Sequence, residues 1–301
     1  MSATDRTAAG PAGPGDPVGT DRSDPPGWSW RERRPRTLAA LVVAVAVVVA
    51  IVVAGTLAAG PASVTDLPER HLAPSREHLL GTDRYGRDLL LRVLVGLRLS
   101  LLVGALAALI SGAVALALAL VAAVGGPWAE AVVAWLVDLF LALPHLVLLI
   151  LVAFALGGGT GAVVVAVGIT HWPRLTLVLL ATARRTVRSD YVALSRGLGH
   201  GRVHVARHHL AGQLVPHLSV GVVLMFPHAI LHEAALSFLG LGIDPGQPAI
   251  GVLLDESMRS LSAGYWWLAV LPGVALLLVV KLVDRIGDDT RLLLDPRSHH
   301  L

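Results

Sequence analysis

The sequence predicts an all-α membrane protein with about six transmembrane helices. Of its 301 residues, 54% are hydrophobic and only 15% are charged, a balance that excludes an ordinary soluble domain and a disordered chain. The apolar residues are grouped in runs long enough to cross about 30 Å of hydrocarbon as helices. Cysteine is absent from the sequence, which excludes disulfides, thiol catalysis and cysteine-based metal sites.

The first span is expected at Leu38–Ala59, an unbroken apolar run. Residues 1–37 are rich in Gly, Pro, Asp, Ser and Thr and end in the basic segment WRERRPR, so they are predicted to form a disordered cytoplasmic tail. A cleaved signal peptide is the alternative. The basic segment lies far from Met1 and the apolar run is longer than a signal sequence requires, which favours a retained helix.

Five further apolar runs predict the remaining spans. The second span, Ser100–Val124, is rich in Gly and Ala, which favours close helix packing. The third, Ala129–Leu156, begins amphipathically and contains Pro144. The last three spans are expected at residues 162–181, 215–236 and 267–283. The sequence therefore predicts a single transmembrane domain.

The distribution of arginine predicts which loops face the cytoplasm. The segment from Arg174 to Arg207, between the fourth and fifth spans, contains seven arginines and one acid, Asp190, and is placed inside the cell. With about six spans, both termini are then also cytoplasmic, and the chain is predicted to be a multi-pass protein of the plasma membrane. Residues 61–99 fall outside, where five acids balance six arginines.

The sequence lacks the motifs of an ATP-hydrolysing or proteolytic enzyme. It contains no phosphate-binding loop of the GxxxxGK[ST] type, and its only lysine, Lys281, follows an apolar segment. HEAAL at His232–Leu236 begins like the HExxH zinc-protease motif, but Leu236 occupies the place of the second histidine. An intramembrane metal-dependent enzyme is therefore a weaker alternative to a transport protein, and a gradient-driven carrier is another alternative.

Two long segments indicate a family. They are HLLGTDRYGRDLLLRVLVGLRLSLLVG (His78–Gly104) and EAALSFLGLGIDPGQPAIGVLLDES (Glu233–Ser257). Both resemble the permease subunits of dipeptide, oligopeptide and nickel ABC importers, and the resemblance extends in order over Leu38–Arg297. It implies a type I permease fold for residues 38–297, with a short tail at 298–301. It also implies that the chain is no enzyme and binds no cofactor, because a partner subunit uses the ATP.

The same resemblance implies a set of partners. These are a homologous second permease, ATP-binding subunits, an extracytoplasmic substrate-binding protein and the lipid membrane, with no nucleic acid. It further implies that a cytoplasmic coupling loop, residues 182–214, docks on the ATPase. Arg196 and Gly199 match the family's coupling motif and Tyr191 opens the matched segment, so these three residues are assigned to the coupling loop's contact with the ATPase. A basic loop that only sets the topology is the alternative.

Two glycine-containing motifs are expected to be structural. In GTDRYGRD (Gly81–Asp88) the glycines and aspartates favour turns, and a pair between Arg87 and Asp88 would fix the loop before the second span. In LSFLGLG, Gly240 and Gly242 are expected to end a helix. Contact with substrate is the alternative for the first motif.

The fifth span carries the candidate substrate pathway. On a helix, His228 and His232 are one turn apart, His217 points in nearly the same direction, and Met225 adjoins them. Imidazole suits nickel, zinc and copper, so this ladder is predicted to pass a metal cation, with His228 and His232 as transient metal ligands and Glu233 beside them. The alternative is that the histidines only hydrogen-bond to neighbouring helices.

The other histidines are given no role in transport. His145 and His171 are isolated in the sequence and are expected to pack or to lie at the membrane interface. The pattern around the histidines of the fifth span is similar to the nickel-importing branch of the family. The predicted function is therefore a permease for nickel or a related metal, free or chelated, and a dipeptide or oligopeptide importer is the alternative.

Overall fold

The computed structural model describes residues 30–294. These residues are mostly helical and contain no β-strand, only an isolated bridge between Thr82 and Asp88. Five of the described helices or joined helices are long and apolar enough to cross a membrane, or six when one bent pair counts as a span. The predicted all-α membrane fold with about six spans is confirmed.

The helices follow one another with mostly short connections. Two 3₁₀ turns lie between the first two helices, and a π-helical segment at Val205–Leu210 leads into the ninth. The bounds are α1 Trp30–Leu57, α2 Leu89–Gly125, α3 Pro127–Ala142, α4 His145–Ala155, α5 Gly159–Thr170, α6 Trp172–Val187, α7 Asp190–Gly197, α8 Arg202–His204, α9 Ala211–Phe238, α10 Ile250–Leu261 and α11 Trp267–Leu294.

Helix α1 begins before the predicted start of the first span at Leu38. It starts at Trp30, within the segment that the sequence assigned to a disordered tail. The assignment followed the apolar run, whereas the Arg and Glu residues before it are good helix formers and continue the helix. The rest of that predicted tail, residues 1–29, and the predicted C-terminal tail, residues 298–301, lie outside the described residues.

Two predicted spans are interrupted in the structure. The third is bent by 97° between α3 and α4, because Leu143 has the extended backbone that a residue before proline favours and Pro144 caps α4. The fourth consists of α5 and α6, which continue one another with His171 alone between them and extend over Gly159–Val187. Irregular backbone at membrane depth is tolerated where protein covers it.

Helix α2 is the central element of the bundle and packs against α1, α5, α6 and α9. Glycines on α2 make these close contacts possible, as its small-residue composition predicts. A Cβ atom on Gly104 would lie 2.8 Å from Ile230 Cγ1 and 3.0 Å from Phe226 Cε2, both on α9. Many large apolar side chains, such as Val42 on α1 and Leu278 on α11, point away from the core, as lipid-facing residues do.

Candidate functional site

One end of the bundle is formed by residues 58–88 and 239–266, and we call it the ion-pair end. Asp83, only 4% exposed, accepts hydrogen bonds from Arg87 Nε at 2.7 Å and from Arg92 Nη1 at 2.5 Å. Arg92, 3% exposed, also pairs with Glu256 on α10 at 2.9 Å. Each of these buried charges therefore has a partner of opposite sign, which buried charges require.

Backbone contacts fix the loop that carries these charges. The Asp83 carboxylate also accepts from the backbone N–H of Tyr85 at 2.7 Å and of Arg87 at 3.0 Å, as in an Asx turn. Asp88 caps α2 by accepting from the N–H of Leu91 at 3.1 Å. The structural role of GTDRYGRD is thus confirmed, but the predicted pair of Arg87 with Asp88 is wrong, because Asp88 is the helix cap and Arg87 turns to Asp83.

His78 joins the ion-pair end from the same loop. Its Nδ1 lies 2.9 Å from Asp88 Oδ2 and its Nε2 lies 3.2 Å from Glu69 Oε2. The hydrogen bond to Asp88, with smaller contributions from both negative charges, raises the pKa of His78 against the opposing effect of burial. The imidazolium form is therefore favoured at this position.

Two glycines are required by the backbone at this end. Gly81 has φ 82° and a Cβ atom there would lie 2.5 Å from Leu72 O and 2.9 Å from Trp267 Nε1. Gly240 has φ 75° and ends α9, where the N–H of Leu241 bonds to Leu236 O at 3.0 Å, so the predicted helix termination is confirmed. Gly242 packs against Ser237 instead.

A cavity of about 290 Å³ opens beside the ion pairs. The residues that line it include the polar residues Ser63 and Gln247 and the arginines Arg87, Arg92 and Arg98. Arg98 is half-buried on α2 and forms no ion pair with the described residues, whereas Arg87 and Arg92 are paired. Arg98 therefore gives the lining one uncompensated positive charge, which suits an anionic group.

The opposite end of the bundle is formed by residues 125–130 and 184–210, and we call it the α7 end. It is tied to the core at its margins, since Arg202 Nη1 donates to Gly125 O at 3.2 Å and Arg184 pairs with Glu130. Val192 is fully buried and anchors α7 against the core cluster that includes α6 and α9 residues. The end is thus held in place by both apolar packing and polar contacts.

The outer face of α7 is apolar. Tyr191, Leu194 and Leu198 recur at the i, i+3, i+7 spacing of one helix face, and the two leucines are 67% and 71% exposed. Exposed leucines beside an arginine-rich loop are unexpected unless another chain covers them. The sequence analysis missed Leu194 and Leu198, although their spacing within the coupling segment was a signal for a docking face.

The predicted coupling residues lie on or next to α7. Tyr191 and Arg196 are exposed, and the ring centroid of Tyr191 lies 5.6 Å from that of His209. Gly199 has φ 88° and stands just beyond the helix end, with open space around its Cα. All three residues are therefore accessible to a partner.

The predicted histidine ladder on α9 does not form a single surface. His217 and His228 are exposed, whereas Met225 is half-buried and packs against the core. Glu233 is fully buried and accepts a hydrogen bond from Ser237 Oγ at 2.9 Å. In this structure the Glu233 carboxylate is packed around α9 and away from any opening, and its place in a substrate pathway stays a prediction.

The fold brings His232 together with two histidines that the sequence analysis treated as isolated. His145 Nε2 lies 3.3 Å from His171 Nε2, and the ring centroid of His232 lies 4.9 Å from each of theirs. Within the described residues, this trio is the group whose ligand atoms could hold a metal ion, and it does not include His228. His145 and His171 are therefore not isolated from one another in the fold, and their expected packing role stays a prediction.

A multi-span helical domain with an exposed apolar face at one end is common to several families of membrane proteins. Comparison with known families identifies which one. Residues 113–290 match the family of the binding-protein-dependent transport system inner membrane component, and the chain belongs to it.

The curated relatives are permeases. A Brucella suis protein named as a candidate peptide permease is 35% identical over 234 residues, covering 77% of this chain and 78% of its own. A candidate peptide transport system permease of Brucella suis is 32% identical over 275 residues, covering 88% and 89%. The di/tripeptide transport system permease protein DppC of Pseudomonas aeruginosa is 37% identical over 219 residues, covering 73% and 72%.

These comparisons decide several expectations from the sequence. The chain is an ABC importer permease of the dipeptide and oligopeptide family, as the resemblance implied. It is a transport subunit rather than an enzyme, so the alternative of an intramembrane protease is wrong. The expectation of nickel as substrate finds no support in the names of these relatives.

Proposed function

We propose that this chain is one of two permease subunits of an ABC importer for di-, tri- or short oligopeptides. The observation that carries the proposal is the identity of 35% and 37% to permeases named for peptide and di/tripeptide transport. The predicted nickel importer is the second candidate, and it rests on the histidines of α9.

The cationic cavity at the ion-pair end favours a peptide over a metal ion. Asp83 and Glu256 compensate the charges of Arg87 and Arg92, so Arg98 supplies the unpaired positive charge in its lining, which repels a divalent cation and attracts a carboxylate. Arg98 has no acidic partner among the described residues and offers a guanidinium fork that matches a carboxylate in geometry. A peptide entering at this end would meet Arg98 with its C-terminal carboxylate.

The α7 end is proposed to face the cytoplasm and to bind an ATPase subunit. Seven arginines between residues 174 and 207 support this orientation. Tyr191, Leu194 and Leu198 would enter a groove of the ATPase, as amphipathic helices do when they bind in grooves. ATP-driven movement of the ATPase would then displace α7, and Val192 and the π-helical segment would carry the displacement to α9.

The remaining partners follow from the family. A homologous second permease would lie against the exposed face of α9, so that His217, Met225, His228 and His232 remain candidates for the lining of the shared pathway. An extracytoplasmic binding protein would deliver substrate at the ion-pair end. Both termini would be cytoplasmic and the complex would lie in the plasma membrane. The ATP would be bound by the ATPase subunits and not by this chain.

Reconstitution of the complete importer tests the substrate. The permease pair, ATPases and binding protein are placed in proteoliposomes, and uptake of a radiolabelled tripeptide is compared with uptake of ⁶³Ni²⁺. We expect ATP-dependent tripeptide uptake that excess nickel does not inhibit. Nickel uptake without tripeptide uptake would contradict the peptide proposal and favour the metal importer.

Variants of the cavity test the recognition of the carboxylate. Arg98→Gln is expected to raise the KM for the tripeptide and to abolish its preference over the C-terminally amidated tripeptide. Arg259→Gln is the matched control, because Arg259 is an exposed arginine on α10 that does not line the cavity. An unchanged preference in Arg98→Gln would remove Arg98 from substrate recognition while leaving the peptide proposal intact.

A further inference from the structure

Three histidines from separate parts of the membrane domain converge on one point. His145 begins α4 just after the bend at Pro144, His171 joins α5 to α6, and His232 lies in α9. One ring nitrogen from each lies within 4.8 Å of those of the other two. Because the three residues are distant in sequence, this convergence is a property of the fold.

Hydrogen bonds fix the orientation of two of the imidazoles. Nδ1 of His171 lies 2.9 Å from Val167 O, and Nδ1 of His232 lies 2.7 Å from His228 O. A carbonyl oxygen only accepts, so each Nδ1 must carry the hydrogen and donate it. The neutral ring then has its lone pair on Nε2, which is the arrangement that metal-bound histidines usually show.

The distances fit the coordination of a small divalent ion. Nitrogen ligands at 2.0–2.1 Å from a tetrahedral ion are separated from each other by about 3.3 Å. The Nε2 atoms of His145 and His171 are 3.3 Å apart, and the three ring centroids are 4.4 Å to 4.9 Å apart. Three imidazoles leave one coordination position open for water or another ligand.

Hydrogen bonds among the three histidines explain less of this arrangement than a bound metal ion does. His145 could donate from Nε2–H to Nε2 of His171, but Nε2 of His232 would still have no protein donor within the described residues. Arg174 and His228 are the nearby groups that interact electrostatically with the trio. Arg174 is exposed, so its guanidinium can remain in a polar environment away from a bound cation.

We propose that His145, His171 and His232 bind one divalent first-row transition metal ion. Imidazole nitrogen is the preferred ligand of zinc, nickel, copper and cobalt among the side chains of this chain, which has no cysteine. The bound ion ties α4 to the α5–α6 junction and to α9. It is a resident of this chain, distinct from the transported peptide and from the predicted pair of His228 with His232.

Titration of the purified importer with Co²⁺ tests the site. The complex is stripped with a chelator, and the visible ligand-field absorption of Co²⁺ reports nitrogen coordination in a near-tetrahedral site. We expect one Co²⁺ per copy of this chain, displaced by Zn²⁺. Each of the variants His171→Ala and His232→Gln should bind Co²⁺ at least about tenfold more weakly than the wild type does.

Two control variants separate this site from other histidines. His228→Ala removes an exposed histidine one turn from His232 on the same helix and should leave the Co²⁺ spectrum unchanged. At the α7 end, the rings of His204 and His208 stack with their centroids 4.3 Å apart, and the double variant His204→Gln, His208→Gln should also leave the Co²⁺ spectrum unchanged. Loss of the spectrum in either control would overturn the proposal, as would equal Co²⁺ affinity in His171→Ala and wild type.

Thermal unfolding gives a second readout that does not depend on the spectrum. Because Zn²⁺ would bind the folded state and not the unfolded chain, it should raise the Tm of the wild-type complex and of His228→Ala. It should not raise the Tm of His232→Gln. If His171→Ala fails to assemble, His145→Asn takes its place. An unchanged Tm of the wild-type complex on addition of Zn²⁺ would contradict the proposal that a metal ion joins these helices. This result would be independent of peptide uptake, which tests the proposed function.

Discussion

The two ends of the bundle differ in how their charged groups are paired and in how far their apolar side chains are covered. At the ion-pair end, buried charges of Asp83, Arg92 and Glu256 are paired within the chain. At the α7 end, Leu194 and Leu198 expose most of their apolar surface, although Val192 packs in the core and Arg184 and Arg202 form polar contacts at the margins. The buried charges of one end are thus paired within the chain, whereas the apolar face of the other is exposed and is proposed to bind an ATPase. On this proposal, the residues that hold the fold together and the residues that couple to a partner are separated along the bundle.

Removal of Arg92 should have the largest effect on stability. Arg92→Ala leaves Glu256 without its closest cation and Asp83 with Arg87 alone, and breaking a buried ion pair typically costs about 3–5 kcal/mol. We expect a large fall in the Tm of the purified complex and a lower yield of the chain in membranes. Arg259→Ala, at an exposed position on the same end, is the control. A Tm within a degree or so of wild type would show that the ion pairs are dispensable.

The apolar face of α7 should determine assembly without affecting folding. The double variant Leu194→Asp, Leu198→Asp places charges where the proposed ATPase groove is apolar, and we expect co-purification of the ATPase to fall more than about tenfold. The Tm of the permease should stay unchanged because both side chains are exposed in the isolated chain.

Val203→Asp is the matched control for this experiment. Val203 is 80% exposed at the same end but lies outside the face formed by Tyr191, Leu194 and Leu198. ATPase retention should be normal in this variant. Equal loss of the ATPase in Val203→Asp and in the double variant would contradict a defined docking face and indicate a general effect of charge on the loop.

A charge reversal on α7 should have a smaller effect. Arg196→Glu changes an exposed cation that lies beside the apolar face, so it should weaken association with the ATPase a fewfold, and more at low salt than at high salt. Arg188→Glu reverses an exposed arginine just before α7 and serves as the control. Co-purification at the wild-type ratio in Arg196→Glu, at every salt concentration, would exclude Arg196 from the interface.

The sequence predicted the fold better than the site. Runs of apolar residues were sufficient to predict the spans, because a segment in lipid must form its backbone hydrogen bonds within its own helix. The bend at Pro144 follows from a known property of proline, yet its angle of 97° depends on packing.

The sites depend on contacts that a single sequence does not display. The sequence placed His228 with His232 from helical periodicity, but His232 turns towards His145 and His171, which come from other helices. The partner of Arg87 was also mistaken, since Asp83 and Asp88 are both close in sequence and only the turn geometry selects Asp83. The exposed spacing of Tyr191, Leu194 and Leu198 was present in the sequence and could have been recognised.

The smallest expected effect is the dependence of the ion-pair end on pH. The pKa of His78 is raised by its hydrogen bond to Asp88, so the folded state binds the proton more tightly than the unfolded chain. The stabilisation is therefore fully present below the ordinary pKa of about 6.5 and is lost as the pH rises through the raised value. The Tm of the wild-type complex should fall across this interval by more than that of His78→Gln, which keeps a polar group but cannot be protonated. Identical pH profiles for the two proteins would show that the imidazolium of His78 adds nothing to an end that Arg92 already holds together.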